Sequence, residues 1–194
     1  MNLSTWQGAA GMLAGIIYVI AFVPYVLSIV HGKTKPSRMT WAIWSLLNII
    51  TIFSYVSLGA RNTLWMTGAT TVGSVSVFLL SLRFGESTRR RLDFLLLGGA
   101  ILSVLVWLGS GQPLAAQLSS LVLLILGAVP TIRIAYNTPE RESRMTWSLF
   151  TLSCIVNFLS IERWTLGIIA GPIVSLAVDA TVMTLLFRRV PRSS

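Results

Sequence analysis

Charge is what this sequence has least of. Its 194 residues carry six acidic and fifteen basic side chains, 11% charged in all, against roughly 25% in a soluble domain. So few charges cannot coat a globule of this size. An ordinary soluble enzyme is excluded, and 54% hydrophobic residues exclude a disordered chain. One cysteine, Cys154, leaves no internal disulfide and no multi-cysteine metal site. One histidine, His31, leaves no histidine-rich metal or haem centre. No glycine-rich phosphate loop, metal-ligand cluster or nucleophile-plus-base pair occurs, and the polar loops are too short to fold a catalytic domain. No enzyme activity, cofactor or metal is expected.

What is present is apolar sequence in long runs. Mean hydropathy is +0.77, and a helix needs about 20 mostly apolar residues to cross a bilayer. Seven stretches qualify: Gly8–Val30, Met39–Leu58, Thr63–Leu82, Leu92–Leu108, Leu114–Tyr136, Met145–Ile161 and Thr165–Phe187. The sixth is short, and Glu162 and Arg163 would extend it by reaching to the interface. The runs are continuous rather than alternating, which argues against a β-barrel. The first lacks a basic leader and a small-residue cleavage pattern, so it reads as a retained helix. The expectation is an all-α integral membrane protein of one domain, 1–194.

Net charge is +9. In a soluble protein this would suggest nucleic acid; here it suggests loops facing an anionic leaflet, with membrane lipids as partners and no nucleic acid. With seven spans, thirteen basic residues fall on one side: Lys33, Lys35, Arg38, Arg83, Arg89, Arg90, Arg91, Arg133, Arg141, Arg144, Arg188, Arg189 and Arg192. Only Arg61 and Arg163 fall on the other. The positive-inside rule then puts the N-terminus outside and the C-terminus in the cytoplasm. Compact loops and no targeting extension suggest a bacterial plasma membrane. The sequence leaves homo-oligomer formation open.

The chain repeats itself. Ser37-Arg38-Met39-Thr40-Trp41 recurs as Ser143-Arg144-Met145-Thr146-Trp147, an offset of 143 − 37 = 106. Val23-Pro24 recurs as Val129-Pro130 at the same offset, and Leu46/Leu152, Ile49/Ile155 and Ser54/Ser160 keep the register. Two three-helix units follow, residues 8–83 and 114–188, with a linker helix at 92–108. The extra helix restores orientation, so the units are parallel, related by an axis along the membrane normal. This 3+1+3 plan, with a proline late in each unit's first helix and a basic loop before a Trp-rich second helix, resembles the PQ-loop and SWEET-like transporter superfamily. The family's Pro-Gln is here Pro24-Tyr25 and Pro130-Thr131, so any role of that glutamine does not carry over.

Several residues stand out as candidates. Pro24 and Pro130 break helical hydrogen bonds at equal places and read as paired hinges. Asp179 lies near the middle of the last stretch, where a carboxylate costs on the order of 2.5–3.5 kcal/mol to insert. Intramembrane acids mark proton relays. The run Ser175–Asp179 also resembles the last helix of cystinosin-type PQ-loop transporters, which implies proton coupling. Trp41, Trp44, Asn48, Thr51 and Tyr55 share one helical face, answered in the repeat by Trp147, Phe150, Cys154, Asn157 and Ile161. Trp44, Asn48, Thr51, Asn157 and Ser175 are the expected solute contacts. Trp41 and Trp147 read as interface-belt residues. Glu140 and Glu142 are expected to pair with Arg141 and Arg144. The third helices lack the asparagine of the family's sugar transporters, which favours a proton-coupled over a sugar assignment. The function expected is alternating-access transport of a small polar solute, an amino acid or a sugar. The rival is a membrane receptor or interaction protein, since KDEL receptors resemble this plan without transporting.

Overall fold

The computed structural model describes residues 4–87 and 91–188. Arg89, Arg90, Arg189 and Arg192 lie outside the described residues, as does the side chain of Arg141. Seven α-helices make up the described chain: α1 Trp6–Val30, α2 Arg38–Ser57, α3 Leu64–Phe84, α4 Arg91–Ser110, α5 Pro113–Asn137, α6 Arg144–Phe158 and α7 Leu166–Phe187. A 3-10 turn, Pro139–Arg141, precedes α6. There is no β-strand among the described residues, only an isolated bridge between Ser37 and Glu86.

Six helices, all but α6, are long and apolar enough to cross a membrane. Their outer faces carry half-exposed residues such as Leu13, Ile16, Val19 and Ile20, the surface that lipid solvates. The chain is therefore an integral membrane protein. Helix α6 has fifteen residues, about 22 Å of rise against a hydrocarbon core of about 30 Å. It stops before the end expected from the apolar run. The Ser160 hydroxyl donates to the Asn157 carbonyl at 2.6 Å, a side-chain bond that competes with continuation of the helix.

The recurring Ser-Arg-Met-Thr-Trp motif starts a helix both times. Ser37 Oγ accepts from the Thr40 amide and Ser143 Oγ from the Thr146 amide, occupying a donor the first turn leaves unpaired. At the far end of α2 the chain turns through Gly59, whose φ of +75° suits glycine alone.

Packing follows a regular plan. Helix α3 lies against both α1 and α2, and α7 against both α5 and α6. Across these groups α1 meets α6 and α2 meets α5, while α4 leans on α5 and more lightly on α2. Close approach is achieved with small residues: a Cβ at Gly11 would collide with the Asn62 carbonyl, and one at Gly73 with the Phe22 ring. A Cβ at Gly68 would make only an ordinary contact with Ile52 at 3.9 Å, and one at Gly98 would meet nothing within 4 Å. Three helices contain an internal proline: Pro24 in α1, Pro130 in α5 and Pro172 in α7.

Candidate functional site

Two chambers that share part of their walls lie between the helices. The larger, a vestibule of about 320 Å³, sits at the end that carries the basic loops. Its rim includes Lys35 and Glu86, both exposed, so it opens there. The smaller, of about 110 Å³, lies deeper and has Asp179 on its wall. Phe22, Trp41, Trp44, Trp147 and Phe150 line both and form an aromatic neck. The rings contact one another: Phe22 to Phe150 at 5.4 Å, Trp41 to Trp44 at 5.4 Å and Trp147 to Phe150 at 5.8 Å between centroids. Tyr18 stacks on Phe150 at 4.5 Å.

The lining respects the 106-residue offset. Tyr18 and Leu124, Phe22 and Ala128, Trp41 and Trp147, and Trp44 and Phe150 all face the deep chamber. Tyr25 and Thr131, and Thr40 and Thr146, face the vestibule. The pairs are equal in place and unequal in chemistry. Phe22 fills space that Gly73 concedes to it, whereas the corresponding Ala128 is small.

Asp179 is 7% exposed. It accepts a hydrogen bond from the Cys154 thiol at 3.3 Å, and no cationic side chain among the described residues pairs with it. Asn48 Nδ2 donates to Ser74 Oγ at 3.2 Å, joining α2 to α3. Ser175 lines the chamber one helical turn from Asp179.

Of the residues singled out from sequence, Trp44, Asn48, Ser175 and Asp179 meet at the deep chamber, and Pro130 lines the vestibule. Thr51 and Asn157 do not reach either. Thr51 Oγ1 donates to the Leu47 carbonyl of its own helix, and Asn157 is buried beside Ser160, towards the opposite end. Pro24 also lies outside the lining. Trp41 and Trp147 point into the cavity, not to an interface belt. Trp147 is 9% exposed, and its Nε1 donates to Glu142 at 2.9 Å. Glu142 thus has an indole partner where Arg144 was expected, while Arg144 lies over the Phe187 ring. Burial pushes the Glu142 carboxyl up from the ordinary glutamate range, and the indole bond offsets part of that rise.

The end opposite the vestibule is shut. Tyr55 Oη donates to the Ile168 carbonyl at 2.9 Å inside a cluster with Ala60 and Ile161. Glu162 does not extend α6. Its two carboxylate oxygens accept from the backbone amides of Arg61, at 2.6 Å, and Asn62, at 3.3 Å. Arg163 donates to the carbonyls of Leu58 and Gly59. The α6–α7 loop therefore latches onto the α2–α3 loop by two opposite charges, each on backbone groups of the other. Both residues looked like interface anchors in the sequence, because nothing local names a partner a hundred positions away. Removing the Arg163 bonds should loosen this end. In an Arg163→Ala protein, maleimide labelling of a cysteine placed at the buried Ala60 should rise about two- to tenfold, the weight of one or two exposed hydrogen bonds. Unchanged labelling would show that the apolar cluster alone keeps the end shut.

No family model, curated protein or solved structure matches this chain.

Proposed function

We propose that the protein is an alternating-access transporter of a small polar solute, seven-spanning and built from two parallel three-helix repeats joined by α4, as the resemblance to PQ-loop and SWEET-like proteins implies. The observation that carries the reading is the cavity itself. It is lined by residue pairs at the repeat offset, opens at the basic end and is sealed at the other. A cavity on a repeat interface, near mid-depth and open to one side, is the form a solute site takes in repeat-built transporters.

In this reading the basic end is cytoplasmic, and the sealed end opens when the latch of Glu162 and Arg163 releases. The proline-containing helices α1, α5 and α7 supply flexible points, since each internal proline frees a carbonyl from the helical ladder. Asp179 is the coupling group: a carboxylate in a mostly apolar chamber exchanges a proton as the chamber alternates between two exposures. Trp44, Asn48 and Ser175 contact the solute.

Reconstituted vesicles test this directly. Pooled labelled sugars, amino acids and amines are offered with pH gradients of either direction and with none. Accumulation driven by a gradient is the expected result. Gradient-independent equilibration would remove the coupling role from Asp179. Absence of flux from every pool would favour the receptor reading over transport.

A further inference from the structure

We propose that the deep chamber binds a small organic ammonium ion, held by the Asp179 carboxylate and the faces of the surrounding aromatic rings. This deepens the transport reading and rests on it for movement across the membrane, although the binding site stands on its own geometry.

The first observation is the placement of charge. The chain has fifteen basic and six acidic residues, yet four of the six acids line the cavity: Glu86, Asp93 and Glu142 in the vestibule and Asp179 below. Of the bases among the described residues, only Lys35 at the rim lines either chamber. A narrow cavity lined by one sign of charge concentrates the opposite sign within it. A cation is drawn inwards although the chain as a whole carries a net charge of +9.

The second observation is the wall. Trp41, Trp44, Trp147, Phe150 and Tyr18 present rings to the space around Asp179. Ring faces attract ammonium groups, more strongly where water is excluded. Sugars also stack on aromatic rings, so hydrogen bonding decides between the two. Three polar groups of the chamber are already engaged, Asn48 with Ser74, Ser74 with the Thr71 carbonyl and Thr70 with the Met66 carbonyl, while the buried Trp44 indole N–H on the same wall has no partner. Few are left for a polyhydroxylated solute, whose buried hydroxyls would each need a partner. A zwitterionic amino acid would bring a carboxylate into a chamber where none of the described lining residues is basic. An ammonium ion without a carboxylate matches what is there.

The groups facing Asp179 fix how the proton enters. Helix α6 offers the Cys154 thiol and α1 the Tyr18 hydroxyl. Helix α5 offers Leu124, Ala128 and Thr131, and α2 and α3 offer Asn48, Thr70 and Ser74, all without charge. One carboxylate therefore neutralises one cation at a time. A bound ammonium ion takes the place of the proton, and the coupled movement is exchange of one for the other.

The test is equilibrium binding to the full chain in lipid nanodiscs, with labelled methylammonium, tetramethylammonium and choline as probes. The uncharged isostere of choline, 3,3-dimethyl-1-butanol, serves as the comparator. At least one ammonium probe should bind. Where that probe is choline, the isostere should bind about tenfold more weakly or worse, the loss of one favourable charge interaction. Asp179→Asn should weaken binding about tenfold or more, and Phe150→Leu severalfold. Binding should fall as pH is lowered. Absence of binding by all three probes to protein with an intact thermal transition overturns the proposal. So does an isostere that binds as well as choline, a comparison needing no variant. Binding with the expected pattern but no flux of the bound probe would overturn transport and leave the site standing. Flux of neutral solutes with no ammonium binding would do the reverse.

Discussion

Asp179→Asn is expected to cut gradient-driven accumulation in reconstituted vesicles by about tenfold or more, a loss of roughly 1.4 kcal/mol or greater in coupling. The same protein should unfold at an equal or higher temperature. Both outcomes have one cause. Asparagine is nearly isosteric and keeps an oxygen to accept from the Cys154 thiol, 3.3 Å from the native carboxylate. It cannot ionise, so it cannot exchange a proton. It also relieves the chain of an acid that costs on the order of 2.5–3.5 kcal/mol at the middle of a membrane helix. A group that hinders folding and serves activity gives this opposite pair of effects when removed. A purely structural acid would give falling stability and unchanged accumulation. Unchanged accumulation with an unchanged pH dependence would end the coupling role.

Gly11→Ala is expected to destabilise the protein by about 1–3 kcal/mol, the usual cost of overpacking a filled interior. Gly98→Ala should instead be neutral or stabilising by up to about 1 kcal/mol, the ordinary gain of alanine over glycine within a helix. The two glycines sit in helices of similar composition and differ in surroundings. At Gly11 an added methyl meets the Asn62 backbone carbonyl and the Ser160 side chain, and a backbone group cannot swing aside as a flexible side chain can. At Gly98 nothing lies within 4 Å. The damage at Gly11 falls on the latch, because Asn62 donates its amide to Glu162. Loss of thermal stability together with easier labelling at the sealed end would identify it as a closure contact. Equal melting temperatures for the two variants would show that α1 can withdraw from the α2–α3 loop at no cost.

The sequence by itself determined the class and the helical plan. Apolar runs long enough for a bilayer leave the backbone little choice but to hydrogen-bond internally, and the runs match the helices to within two residues except at the end of α6, which stops three short of Ile161. Helical periodicity placed Trp41, Trp44 and Asn48 on one face, and they do share the cavity. The offset of 106 residues paired positions that turn out to line the same space. Asp179 was conspicuous because a buried charge in an apolar run is costly whatever surrounds it.

Only the tertiary structure decided which face meets which neighbour. Period alone orders residues round a helix and carries no information about the partner helix. Trp41 and Trp147 looked like interface residues because tryptophan near a helix end commonly is one, yet the packing of α2 and α6 turns both inwards. Thr51 and Asn157 lie on the expected faces but at the wrong depth, one bonded within its own helix and one below the cavity. Glu162 and Arg163 find their partners about a hundred residues away. A contact of that kind depends on how two loops are brought together, and that follows from the summed packing of every helix between them.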